Sequence, residues 1–136
     1  MTSNLSLKTQ LRDFPDPQAL AQALAQAVAD DLRAALAARA SASLALSGGN
    51  TPKAFMQALA LQTLDWARVA VTLVDERWVP ESNPRSNAAL LKANLLDGPA
   101  AMARFVPLHR AVPQPEDALA EVERALLAMP LPFDAL

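Results

Sequence analysis

Two adjacent glycines in Ser47-Gly48-Gly49-Asn50-Thr51-Pro52 are two of only three glycines in the whole sequence. They separate the apolar stretch Leu44-Ala45-Leu46 from Lys53-Ala54-Phe55-Met56-Gln57-Ala58-Leu59, a helical segment that Pro52 opens. A chain this poor in glycine has placed its freest backbone at one strand-to-helix junction. Glycine permits a sharp turn and lets another group come close to the main chain. A helix start adds unpaired N–H groups and the positive end of the helix dipole, which together suit an anion such as phosphate. The junction therefore reads as an anion-binding loop. The competing reading is a tight turn with a Ser or Thr cap.

The pattern around the junction alternates between strand and helix. After the breaker Pro15-Asp16-Pro17, apolar residues at Leu20, Leu24, Val28, Leu32 and Leu36 predict a helix to about Ala40 with that stripe as its core face. Leu44–Leu46 predicts a short buried strand, and a helix runs from Pro52 to about Leu61. Val69-Ala70-Val71-Thr72-Leu73-Val74 is the clearest strand, ending abruptly in Asp75-Glu76-Arg77. A proline-punctuated loop follows from Val79 to Arg85, and Ser86 or Asn87 caps a helix to about Leu96. Phe105–Leu108 predicts a further strand, and Pro115-Glu116-Asp117 opens a helix carrying Leu119, Val122, Leu126 and Leu127 on one side. Such alternation predicts an α/β fold, a mostly parallel sheet with helices on both faces, in which ligands bind beyond the carboxyl ends of the strands. The glycine loop and the Asp75-Glu76-Arg77 cluster both lie there.

Composition narrows the function classes. At 136 residues the chain is one domain, able to bury roughly two-thirds of its unfolded surface. Its 12 Lys+Arg against 14 Asp+Glu argue against an electropositive nucleic-acid face. There is no cysteine, so no disulfide or thiolate metal site is available. Met1–Asp13 lacks the apolar core of a signal peptide, and no apolar run approaches the ~20 residues of a membrane span. The expectation is a soluble cytoplasmic protein.

Neither common nucleotide motif is present: the phosphate loop needs Gly-x4-Gly-Lys-Ser/Thr, and the dinucleotide fold three spaced glycines. The loop instead offers the Ser47 and Thr51 hydroxyls, the Asn50 amide and backbone N–H groups. Arg77 offers a forked donor for phosphate or carboxylate, with an acid to orient it. Alternatively, Asp75-Glu76-Arg77 is charge entering solvent, and Ser86-Asn87 a plain helix cap. Trp66 and Trp78 read as packing residues. His109 is the only histidine, without an acidic neighbour, and reads as a solvated loop residue rather than a base. A single histidine and no cysteine cannot build the usual zinc site.

In order and spacing, Ser47-Gly48-Gly49-Asn50-Thr51-Pro52, Asp75-Glu76-Arg77-Trp78-Val79-Pro80 and Ser86-Asn87 resemble the 6-phosphogluconolactonase branch of the glucosamine-6-phosphate isomerase/6-phosphogluconolactonase family. The resemblance covers nearly the whole chain. The deaminase branch carries Thr-Gly-Ser-Thr-Pro and Asp-Glu-Tyr instead, and fits less well. The resemblance implies that family's fold and hydrolysis of 6-phosphoglucono-1,5-lactone to 6-phosphogluconate in the oxidative pentose phosphate pathway, with no cofactor and no required metal. It implies that Ser47, Gly48, Gly49, Asn50 and Thr51 cradle sugar or phosphate oxygens. Arg77 would add charge, and Asp75, Ser86 and Asn87 would line or brace the pocket.

The family's general base is a histidine in a later Gly-rich segment that follows a strand similar to Phe133-Asp134-Ala135-Leu136, where this sequence stops. Residues 1–136 are therefore expected to be a single α/β domain, incomplete at its C-terminus relative to the family, with little activity alone. Two rivals remain: a non-enzymatic or inactive sugar-phosphate-binding domain, and a glucosamine-6-phosphate deaminase.

Overall fold

The computed structural model describes residues 16–48, 51–130 and 133–134. Helix α1 spans Pro17–Ala38. The Asp16 carboxylate accepts from the Ala19 N–H at 2.7 Å, satisfying one free donor of the first turn. At the other end the Arg68 guanidinium donates to the carbonyls of Leu36, Arg39 and Ala40 at 2.8, 2.9 and 2.8 Å. A cation there also complements the negative pole of the helix. The chain continues through β1 (Ala42–Leu46), α2 (Thr51–Ala60), β2 (Val69–Leu73), α3 (Asn87–Asn94), β3 (Arg104–Val106) and α4 (Leu119–Leu127).

The three strands run parallel in the order β1-β2-β3. Every residue of β1 and β2 is buried, as in a sheet covered on both faces. Ala42, Leu44 and Leu46 of β1 and Val69, Val71 and Leu73 of β2 enter one core with α1, α2 and α3. On the opposite face Ala70 and Val106 meet Met129, with Ala125, Leu126 and Phe133 packed alongside. Helices thus lie on both faces, and the α/β three-layer arrangement is the observed one.

Two expectations need correction. The expected stripe on α1 is buried only in its second half: Leu32 is buried and Val28 and Leu36 pack against the core, but Leu20 and Leu24 are 47% and 48% exposed, and Ala21, Ala25 and Ala29 are buried in their place. Ala21, Ala25 and Ala29 repeat every four residues one position, about 100°, around the helix from Leu20, Leu24 and Val28, and Leu32 continues both runs. Because α1 packs against α2, the side with small side chains wins, since it lets the two helices approach closely. Leu20 and Leu24 line a groove of about 410 Å³ with Val28, Leu46, Phe55 and Val74. The third strand is Arg104–Val106 instead of Phe105–Leu108, because Pro107 has no N–H to continue the ladder. Helix α4 buries none of its residues fully and leaves Leu119 and Leu127 exposed.

The end of the described chain runs along the edge of β1 away from β2. The Asp134 N–H donates to the Ser43 carbonyl at 3.0 Å, and its carboxylate accepts from the Ser43 N–H at 2.8 Å. Asp134 also pairs with Arg39, and the Ser43 hydroxyl donates to the Pro130 carbonyl. Ala135 and Leu136, expected in the same strand, lie outside the described residues.

The buried alanine face of α1 sets a stability test. Ala25→Leu forces a larger side chain into the α1–α2 contact and should cost about 1–3 kcal/mol. Leu24→Ala, at the half-exposed position beside it, should cost under about 1 kcal/mol. Urea unfolding midpoints of the two variants check the order, and the reverse order would restore the leucine stripe as the core face.

Candidate functional site

Strands β1 and β2 are paired over their full length, Ala42 with Val69 through Leu46 with Leu73. They therefore end level, and the Val74 N–H still donates to the Leu46 carbonyl at 2.8 Å. Ser47-Gly48 leaves one strand beside Asp75-Glu76-Arg77 leaving the other. The start of α3 closes the arrangement. Ser86 is its N-cap, its hydroxyl accepting from the Ala89 N–H at 3.0 Å.

Asn87 joins the two loops. It is buried, and its carboxamide donates to the Asp75 carbonyl at 3.3 Å. The same carboxamide occupies the space a side chain on residue 48 would need: a Cβ there would collide with it. Gly48 does not have a left-handed backbone, so its glycine is required by this close approach and not by an unusual turn. A side chain of the neighbouring motif comes close to the main chain at this position.

Glu76 supplies the link that sequence reading did not assign. One of its carboxylate oxygens accepts from the N–H groups of Asn87 and Arg77 at 2.7 and 2.8 Å. The other accepts from the Ala88 N–H at 2.9 Å. The first turn of α3 contains no acid, so its positive end is met by a carboxylate from eleven residues upstream. A helix lacking its own N-terminal acid, preceded by an acidic pair at a strand exit, was the available signal.

Arg77 is exposed, and its guanidinium donates to the Arg85 carbonyl at 3.1 Å. That carbonyl sits in a loop turned by the Arg85 N–H donating to the Asn83 side chain at 2.8 Å. The expectation that an acid orients the Arg77 side chain is corrected: among the described residues no carboxylate pairs with it, and Glu76 holds its backbone N–H instead. A guanidinium anchored through one N–H keeps its remaining donors for an anion.

Ser47 and Asp75 are exposed at the strand ends. Gly49, Asn50 and the side chain of Thr51 lie outside the described residues. Asn87 is enclosed with its amide already engaged, so it braces the loops from beneath. His109 is half-buried rather than solvated, its ring 4.6 Å from that of Trp78 at 59°. Trp78 in turn donates to the Val112 carbonyl at 3.0 Å, pinning the loop after β3. Among the described residues no group of three or more His, Cys, Asp or Glu side chains could hold a metal, and no helix is long and apolar enough to cross a membrane.

The family described as Glucosamine-6-phosphate isomerases/6-phosphogluconolactonase matches residues 15–136. The chain belongs to this family. It is 52% identical over 123 residues to a 6-phosphogluconolactonase of Mesorhizobium japonicum, covering 90% of this chain and 52% of that relative. It is 47% identical over 116 residues to one from Pseudomonas aeruginosa, covering 85% and 49%. The crystal structure of a 6-phosphogluconolactonase from Shewanella baltica superposes with a TM-score of 0.86 at 38% identity, covering 88% of this chain and 52% of that one. A monomeric glucosamine-6-phosphate deaminase superposes at 0.70 with 16% identity, covering 88% and 51%, a likeness of fold alone. The chain spans about half the length of the curated relatives it matches.

The contact between the glycine and the asparagine makes a test. Gly48→Ala should displace the Asn87 carboxamide and destabilise the chain by about 1–3 kcal/mol. Urea unfolding and the side-chain amide resonances of Asn87 measure both effects. An unmoved Asn87 signal with unchanged stability would refute the close contact.

Proposed function

We propose that this chain is the substrate-holding part of a 6-phosphogluconolactonase. In the reaction, water adds to the C1 carbonyl of 6-phosphoglucono-1,5-lactone and the bond from C1 to the ring oxygen breaks. The ring oxygen leaves as a hydroxyl and the product carries a new carboxylate. The observation that carries this reading is the Arg77 guanidinium, exposed and held by the Arg85 carbonyl beside the junction of the two strand exits. The marked identity to lactonases supports it.

In this reading Arg77 holds the phosphate through its forked donors. The loop from Ser47 to Thr51 holds sugar or phosphate oxygens, Asp75 lines the opening, and Ser86 and Asn87 brace it. The base that activates water comes from elsewhere in the family's polypeptide, since His109 sits against Trp78. The step runs without cofactor or metal. A phosphorylated lactone is charged and stays in the compartment where it forms, so this reading sets the protein in the cytoplasm.

The deaminase alternative has no specific observation in its favour, because Arg77 stands where that branch carries tyrosine. Calorimetric titration of the 136-residue polypeptide with 6-phosphogluconate tests the reading. Arg77→Ala should weaken binding about tenfold or more, and Arg77→Lys by less, because it keeps the charge without the fork. Lactone opening by the polypeptide, corrected for spontaneous hydrolysis, should fall short of a full-length relative by about 10²–10⁴ for want of a base. Equal affinity in Arg77→Ala would return that residue to solvated charge.

A further inference from the structure

We propose that Glu76 is the positioning residue of this sugar-phosphate site, an inference that rests on the lactonase reading. Its carboxylate is engaged by three main-chain N–H groups, and in this role it sets the distance between the groups that would touch the ligand.

The three N–H groups that Glu76 accepts belong to residues on both sides of the opening. Arg77, the residue after Glu76, carries the guanidinium four residues past the end of β2, and Asn87 and Ala88 are the first two residues of α3. By holding the Asn87 main chain, Glu76 also sets the Asn87 carboxamide that abuts Gly48 and donates to the Asp75 carbonyl. One carboxylate thus relates the guanidinium to the glycine loop, two features on different strands with no covalent tie closer than the β1–α2–β2 crossover. The same bonds direct anion binding away from α3. Its first two N–H groups are taken by Glu76 and the third by Ser86, so that helix end has no donors left in its first three positions.

The sign of one effect decides the matter. Glu76 is a negative charge close to where a phosphate would sit. As a bystander it opposes the anion, and neutralising it would tighten binding. As a positioning group it must hold three donors, and Glu76→Gln keeps the shape but replaces one acceptor oxygen with an NH2 that opposes an N–H. Small misplacements of binding groups are costly, so Glu76→Gln should weaken 6-phosphogluconate binding about tenfold. Glu76→Asp keeps the charge and shortens the reach. A bystander role leaves its affinity at the wild-type value, and a positioning role lowers it.

Both variants and the wild type are to be titrated as the full 136-residue chain at low and high salt, with circular dichroism confirming the fold. Weakened binding in a folded variant, by a similar factor at both salts, is the expected result. Unchanged or tighter binding in either folded variant overturns the positioning role while leaving the lactonase reading intact. If Glu76→Gln does not fold, Glu76→Asp alone decides by the same comparison. A wild-type chain that does not bind 6-phosphogluconate overturns the lactonase reading, and this inference with it.

Discussion

The site depends on the register of two buried parallel strands. Because β1 and β2 pair from their first residues to their last, Leu46 and Leu73 lie side by side and the chain leaves both at one level. A slip of one residue would turn every core side chain of β1 to the opposite face, exchanging Ala42, Leu44 and Leu46 for Ser43 and Ala45 in the core. Burial on both faces therefore enforces the alignment that brings Gly48 within reach of Asn87 and Asn87 within reach of Asp75. The two loops are neighbours because hydrophobic packing far from them allows no other pairing.

Charge is distributed at this edge so that most polar groups are satisfied internally. Glu76 is spent on three backbone donors and the amide of Asn87 on a backbone carbonyl. Charge-assisted bonds to main-chain N–H groups are among the stronger polar contacts a protein makes, and they hold a loop at a helix start without a large hydrophobic contribution. Arg77 differs: its bond to Arg85 orients the side chain without neutralising it. Among the described residues no carboxylate pairs with this cation, and the proposed phosphate-binding role rests on that.

The packing of α1 shows the same economy. Alanines at 21, 25 and 29 let the helix lie close on α2, and that choice turns Leu20 and Leu24 toward the groove shared with Val74 and Phe55. Leucine outranks alanine in buried area, but residue hydrophobicity alone does not select a face when two stripes share one period. The closeness of the neighbouring helix decides, through the greater contact that small residues allow along the whole interface.

Much was legible in one dimension. Alternating apolar periods marked the helices and strands, the β-branched run at Val69 marked a buried strand, and the adjacent glycines marked a junction at a strand end. Each is a local signal, set by backbone sterics and by the spacing of apolar residues. The motifs also carried the family, since three short segments in a fixed order constrain far more than composition does. Tertiary structure alone decided which residue needed the glycine, which acid capped α3, which stripe of α1 was buried and that His109 lies against Trp78. Those outcomes depend on groups eleven to thirty-nine residues apart meeting in space, from Glu76 with Asn87 to Gly48 with Asn87. No local pattern encodes such a meeting, because it follows from the pairing of β1 with β2 and from the helices that pack upon them.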